Sequence, residues 1–212
     1  MKVSLSILTV DYYNIENSLK DIISDLDYIH MDVMDGVFVP NISFGYSFIG
    51  ALNKKIDTII DTHLMIMNPD KYIEQFAKAG SDYITFHVEA DCDIKKTIDL
   101  IHSYGVKAGI SIKPKTNVGD ILEYLPLVDM VLVMSVEPGF GGQSFMPNSI
   151  DKCKELKSLK EKNGYSYLIN IDGGINDKTA TLIAPYVDLA VSGSYICNNS
   201  NPREALNKLM NI

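Results

Sequence analysis

Four side chains in this sequence are of the types that gather round a divalent cation and move protons. His30 and Asp32 stand two apart in Ile29-His30-Met31-Asp32-Val33-Met34-Asp35-Gly36. Alternation along an extended chain puts them on one face. His63 lies in Asp61-Thr62-His63-Leu64-Met65, and Asp172 in Asn170-Ile171-Asp172-Gly173-Gly174. Each segment reads as a β-strand end running into a loop. Imidazole nitrogens and carboxylate oxygens together suit zinc, manganese, iron or cobalt. Two carboxylates beside such an ion suit proton removal next to a carbonyl. One takes a proton from one face, the other returns one to the opposite face, and the ion supplies Lewis-acid stabilisation. Asp32 and Asp172 are the candidate acid/base pair. Taken alone, the Asp172-Gly173-Gly174 run fits a turn cap equally well.

Glycine-rich tracts offer a place for an anion. They are Pro138-Gly139-Phe140-Gly141-Gly142-Gln143, Gly173-Gly174 and Gly193-Ser194. Glycine lets backbone N–H groups approach a phosphate closely, and a following helix N-terminus adds its dipole. A lone Gly-Gly is more often a plain turn; three tracts in consecutive loops favour a phosphate cradle. Met34, Met65 and Met134 follow strand ends. Methionine there is ordinary core filling, or a soft apolar wall that keeps water from a reacting carbanion.

The positioning elements alternate. Strands are expected at Val3–Leu8, Tyr28–Asp32, Thr58–Met65, Tyr83–His87, Lys107–Ile112, Met130–Val133, Tyr167–Ile171 and Leu189–Ser192. Helices are expected at Ile15–Ser24, Tyr46–Asn53, Pro69–Ala79, Ile94–Tyr104, Val118–Tyr124, Ile150–Asn163, Asp177–Ala184 and Pro202–Met210. Pro69 and Pro202 suit first helical turns, and Gly80 and Gly105 suit left-handed helix ends. Strict β-then-α order with near-continuous apolar strands implies parallel pairing covered on both faces. Eight such units in 212 residues predict an α/β fold, a (β/α)8 TIM barrel spanning residues 1–212 as a single domain. A doubly wound open sheet is the alternative. In a barrel the functional groups collect at the C-terminal strand ends, where these residues stand.

Bulk properties exclude several classes. The net charge is −8 with no basic cluster, which argues against nucleic acid. The lysines within residues 152–162 are interleaved with Glu155 and Glu161 and read as a solvated helix face. No apolar run is long enough for a membrane, and no secretion signal opens the chain, so a cytoplasmic location is expected. Cys92, Cys153 and Cys197 are scattered and read as reduced thiols.

The chain resembles the ribulose-phosphate 3-epimerase family over nearly its whole length. The likeness is carried by Leu5-Ser6-Ile7-Leu8, by the run from His30 to Asn41, and by His63-Leu64-Met65 and His87-Val88-Glu89-Ala90. It continues through the run from Val133 to Gln143, Asp172-Gly173-Gly174 and Ser192-Gly193-Ser194. The resemblance implies a metal-dependent isomerase that interconverts D-ribulose 5-phosphate and D-xylulose 5-phosphate at carbon 3, in carbohydrate metabolism and the pentose phosphate pathway. It implies one divalent ion per subunit on His30, Asp32, His63 and Asp172, with Asp32 and Asp172 catalytic. Ser6, His63, Gly139, Phe140, Gly141, Gly142, Gly173, Gly174, Gly193 and Ser194 would contact the phosphosugar. A homo-oligomer is implied too. Leu5, Val37 and Asn170 depart from the family's frequent proline, histidine and glutamate but leave the proposed ligands in place. Rival readings are a 3-epimerase of a ketohexose 6-phosphate such as D-allulose 6-phosphate, and a non-catalytic phosphosugar-binding barrel. Related barrels with an Asp-x-Lys-x-x-Asp motif fit poorly, because Met34 stands at the lysine place.

Overall fold

The computed structural model describes all residues, Met1–Ile212. The strands are β1 Lys2–Ser6, β2 Tyr28–Met34, β3 Ile59–Met65, β4 Tyr83–His87, β5 Lys107–Ile112, β6 Met130–Met134, β7 Leu168–Asp172 and β8 Leu189–Ser192. All pair in parallel, in sequence order, and β8 returns to β1 to close a barrel. The open-sheet alternative is thereby removed. The helices are α1 Ile15–Leu19, α2 Tyr46–Asn53, α3 Ile73–Ala79, α4 Ile94–Ser103, α5 Ser149–Asn163, α6 Asp177–Ile183, α7 Ser194–Cys197 and α8 Pro202–Met210. No helix is long and apolar enough to cross a membrane.

Alternation along each strand sorts the side chains into two sets. The outward set, including Val3, Leu5, Ile29, Met31, Ile60, Leu64, Ile84, Phe86, Ile110, Val131, Val133 and Ile171, packs with the helices in one buried cluster. Each such side chain contributes roughly 1.5–3 kcal/mol by leaving water. The inward set is unusually polar and stacks in rings, as alternate strands in such barrels do. Tyr28, Tyr83, Met130 and Leu189, from the even strands, close the bottom. The registers set Ser4, Asp61, Gly109 and Asn170 above them, then the ring containing His30 and Thr85. Next come Ser6, His63, Ser111 and Asp172, then Asp32, His87 and Met134 at the mouth. The barrel floor is thus apolar, and its charge-bearing groups occupy successive rings toward the C-terminal mouth.

Several expected helices are corrected. Ile15–Ser24 is not one helix: α1 ends at Leu19, and a separate 3-10 turn covers Ile23–Asp25. Val118–Tyr124 is a 3-10 turn over Val118–Ile121 followed by another over Leu125–Leu127. Gly119 and Pro126 disfavour a continuous helix there. Pro69 opens a 3-10 turn, and α3 starts only at Ile73. Gly80 ends α3 at φ +98°, and Gly105 stands at φ +73° after α4. Lys152 is not part of a solvated face: its ammonium donates to the carbonyls of Lys113, Pro114 and Thr116.

Candidate metal centre and its pocket

His30, Asp32, His63 and Asp172 come together at the mouth, each offering one donor atom, all within 4.8 Å of one another. His30 Nε2 lies 3.2 Å from Asp32 Oδ1, 3.4 Å from His63 Nδ1 and 4.0 Å from Asp172 Oδ2. His63 Nδ1 is 3.1 Å from Asp32 Oδ1. Donors about 2.0–2.2 Å from a tetrahedral ion stand roughly 3.3–3.5 Å apart. The His30, Asp32 and His63 donors have the spacing of a ligand shell round a small divalent cation, and Asp172, 4.0 Å from His30, stands at its edge. Two nitrogens and two carboxylate oxygens are also a chemically sound set for zinc, manganese, iron or cobalt. The residues present fit a metal ion.

The electrostatics separate the two carboxylates. Burial acts to raise Asp32, but the charge and hydrogen bonds of His30 and His63 override it and hold Asp32 far below the ordinary carboxylate range. Asp172 has no comparable hydrogen bonds; burial and then the Asp32 charge push it up to about 7. A cation among these donors opposes that rise. Burial depresses His30, yet Asp32 and Asp61 outweigh it and raise the ring well above its usual value. In His63 burial prevails, and its pKa is lowered despite Asp32.

Other side chains orient the donors. Asp61 Oδ2 lies 2.8 Å from His30 Nδ1, which turns His30 Nε2 toward the donor cluster. Asn170 donates to the same Asp61 oxygen at 3.3 Å. The Ser6 hydroxyl donates to Asp32 Oδ2 at 2.8 Å, leaving Oδ1 to the histidines. Behind His63, the His87 ring stands 2.9 Å away, and Glu89 follows it at 3.0 Å. Asp61 was not singled out from sequence. It stands two residues before His63, on the same strand face and level with His30 in the β2–β3 register, and that spacing is the signal that locates it.

A pocket opens above the cluster, lined by Ser6, Asp32 and Asp172, by Met34, Met65 and Met134, and by the loops after β6, β7 and β8. Gly139, Phe140, Gly141, Gly142, Gly173, Gly174, Gly193 and Ser194 all line it. Gln143, the last residue of the tract expected to hold an anion, lines it too, and Leu8, Thr9, Val136 and Ile175 line it without having been expected as site residues. His30 and His63 are wholly buried beneath, outside the lining. Asp172 keeps 16% of its side chain exposed, toward the opening. Gly174 sits at φ +65°, and a Cβ there would lie 2.6 Å from the Phe145 backbone nitrogen. Backbone alone fits at this turn. The short α7 begins directly after Gly193 and was not foreseen, being only Ser194–Cys197.

The family model described as "Ribulose-phosphate 3 epimerase family" matches residues 2–197. The chain belongs to the ribulose-phosphate 3-epimerase family. The ribulose-phosphate 3-epimerase of Bacillus subtilis strain 168 is 42% identical over 212 residues, 99% of this chain and 98% of that protein. The ribulose-phosphate 3-epimerase of Aquifex aeolicus strain VF5 is 40% identical, covering 98% and 94%. Solved barrels of other names share the fold. A 3-keto-L-gulonate-6-phosphate decarboxylase from Vibrio cholerae gives a TM-score of 0.72 at 14% identity, covering 99% and 95%. A 3-hexulose-6-phosphate synthase from Salmonella typhimurium gives 0.70 at 18% identity, covering 100% and 97%. At such identity the likeness is one of architecture. The ribulose-phosphate 3-epimerases of Bacillus subtilis and Aquifex aeolicus share extended sequence with this chain.

Proposed function

We propose that this chain interconverts D-ribulose 5-phosphate and D-xylulose 5-phosphate by moving a proton at carbon 3 between two aspartates. One observation carries the reading. Asp32 and Asp172 come from β2 and β7, with β1 and β8 between them, yet both open into one pocket beside the same two histidines. Inversion of a carbon needs proton transfer on opposite faces of a planar intermediate. In this reading Asp32 removes the carbon 3 proton of one epimer and Asp172 delivers a proton to the other face; the reverse reaction exchanges the roles. A divalent ion held by His30, Asp32, His63 and Asp172 supplies Lewis-acid stabilisation to the oxygens that gain charge meanwhile.

The remaining lining residues take supporting parts. Ser6 fixes the Asp32 carboxylate through its 2.8 Å hydrogen bond and meets substrate near the reacting carbon. Met34, Met65 and Met134 are almost wholly buried and offer an apolar wall that excludes water from the planar intermediate. Gly139–Gly142, Gly173, Gly174, Gly193 and Ser194 surround the phosphate, where backbone N–H groups serve an acidic chain that has no basic patch there. Gly174→Ala tests the cradle. The positive φ and the clash with Phe145 are expected to cost about 1–3 kcal/mol of stability. The same change raises KM for the phosphosugar, and a sugar lacking the phosphate shows no such dependence. Thermal melts and steady-state kinetics check both.

The experiment for the reaction itself is turnover of D-ribulose 5-phosphate against D-allulose 6-phosphate under identical conditions. The pentose phosphate is expected to give the higher kcat/KM; a reversed preference assigns the site to the hexose. A cytoplasmic location fits a phosphosugar enzyme. Exposed Tyr12 and Ile42, which share a groove with the pocket-lining Leu8, support self-association into a homo-oligomer, which sedimentation reads directly.

A further inference from the structure

The groups behind His63 take no part in the proton transfers above, yet they form an ordered line away from the metal centre. His63 Nε2 faces His87 Nε2 at 2.9 Å, and His87 Nδ1 faces Glu89 Oε2 at 3.0 Å. The other Glu89 oxygen accepts from the Lys113 backbone N–H at 2.8 Å and from the Thr116 hydroxyl. The loop that supplies those donors is held by Lys152, whose ammonium binds the carbonyls of Lys113, Pro114 and Thr116. Both rings are completely buried, which disfavours the doubly protonated form of each.

This line admits one consistent placement of protons. A carboxylate only accepts, so His87 Nδ1 must carry a hydrogen and donate it. A neutral imidazole has one N–H, so His87 Nε2 is then a bare acceptor. Its neighbour His63 Nε2 must therefore be the donor, and a cation that takes the place of the 3.1 Å contact between His63 Nδ1 and Asp32 Oδ1 then meets a bare Nδ1. That atom is the one that stands with His30, Asp32 and Asp172 in the donor cluster. We propose that Glu89, acting through His87, sets the tautomer of His63 so that Nδ1 presents a free lone pair to the metal. Glu89 and His87 are positioning residues: neither lines the pocket. The inference rests on reading the four donors as a metal centre, and it assigns the His-Val-Glu segment at the end of β4 a purpose that the proton transfers do not.

The carboxylate is what the arrangement requires, and the nearly isosteric amide exposes this. In Glu89→Gln the single carbonyl oxygen goes to the side with two donors, the Lys113 N–H and the Thr116 hydroxyl. The amide NH2 then faces His87 Nδ1, which must accept. The proton of His87 moves to Nε2, His63 Nε2 becomes the acceptor, and the His63 hydrogen shifts to Nδ1, toward the metal donors.

The test uses the full chain, stripped of metal, and Zn2+ as the probe. Histidine nitrogen-15 spectra of the wild-type protein are expected to report His63 protonated on Nε2 and His87 on Nδ1. Glu89→Gln is expected to reverse both and to weaken Zn2+ binding about 10–100-fold in competition with a chelator. A wild-type His63 with no hydrogen on Nε2, the atom that faces His87, overturns the proposal without any variant. So does a folded Glu89→Gln protein whose Zn2+ affinity stays within about twofold of wild type. A wild-type protein that takes up no Zn2+ removes the metal-centre reading itself and the proposal with it. The spectra, taken without metal, show which of the two has failed.

Discussion

Asp172→Asn is expected to lower turnover of D-ribulose 5-phosphate by on the order of a thousandfold while substrate still binds. Asparagine keeps the shape and one oxygen of the side chain but has no carboxyl group to take up or deliver a proton. The pocket wall and the glycine loops that hold the phosphate are untouched, so the loss falls on kcat and leaves KM nearly as it was. The position is sensitive because Asp172 keeps its carboxyl partly exposed to the pocket beside Asp32. Rate measurements with saturating substrate, beside binding of a non-reacting analogue, separate the two effects. Turnover within tenfold of wild type would remove Asp172 from the chemistry.

Removal of metal is expected to have an effect of similar size. Exhaustive chelation should reduce turnover by about 10²–10³-fold or more, since charge stabilisation by a Lewis acid is worth several kcal/mol. Adding zinc, manganese, iron or cobalt singly to the stripped protein, with bound metal counted, identifies which ions restore the rate. The same stripping lowers the melting temperature, because an ion that binds only the folded cluster stabilises it by mass action. The buried donors explain why: without an ion the two carboxylates repel each other, Asp32 is offset by both histidines, and Asp172 is offset only by His30 at 4.0 Å. A rate untouched by complete metal loss, verified by elemental analysis, contradicts the metal centre.

The barrel was legible because its strands are apolar on the outer face and punctuated by loops. Tyr83–His87, Lys107–Ile112 and Leu189–Ser192 fall where the sequence places them. The strand ends differ where loop residues remain extended: β2 and β6 run on through Met34 and Met134, and β7 through Asp172. Weak helices were the failure. Residues 15–24 carry an apolar stripe at Ile15, Leu19, Ile22 and Ile23, yet the chain leaves the helix after Leu19 and reaches the core through a 3-10 turn; Gly119 and Pro126 break the next. Lys152 misled for another reason. Its sequence neighbourhood is charged, but a long flexible side chain can turn back to nearby carbonyls, as it does here.

At the site, the four clustered side chains that could hold a metal were visible as histidines and aspartates at or near strand ends. The residues that aim them were not. Asp61, His87 and Glu89 act through other side chains, and their meaning depends on which strands are neighbours and in what register. That is information a single sequence carries only after the barrel is closed. The glycine loops were legible as a set; Thr9 and Ile175, which line the same pocket, have no local signature.

The most direct test follows hydrogen at carbon 3 of D-ribulose 5-phosphate turned over in deuterated water, read by NMR. Two aspartates working from opposite faces predict D-xylulose 5-phosphate that carries solvent deuterium at that carbon from the first turnover onward. Product that keeps the original hydrogen, formed at the full rate, would mean that one group carries it across, and the paired roles of Asp32 and Asp172 would have to be abandoned.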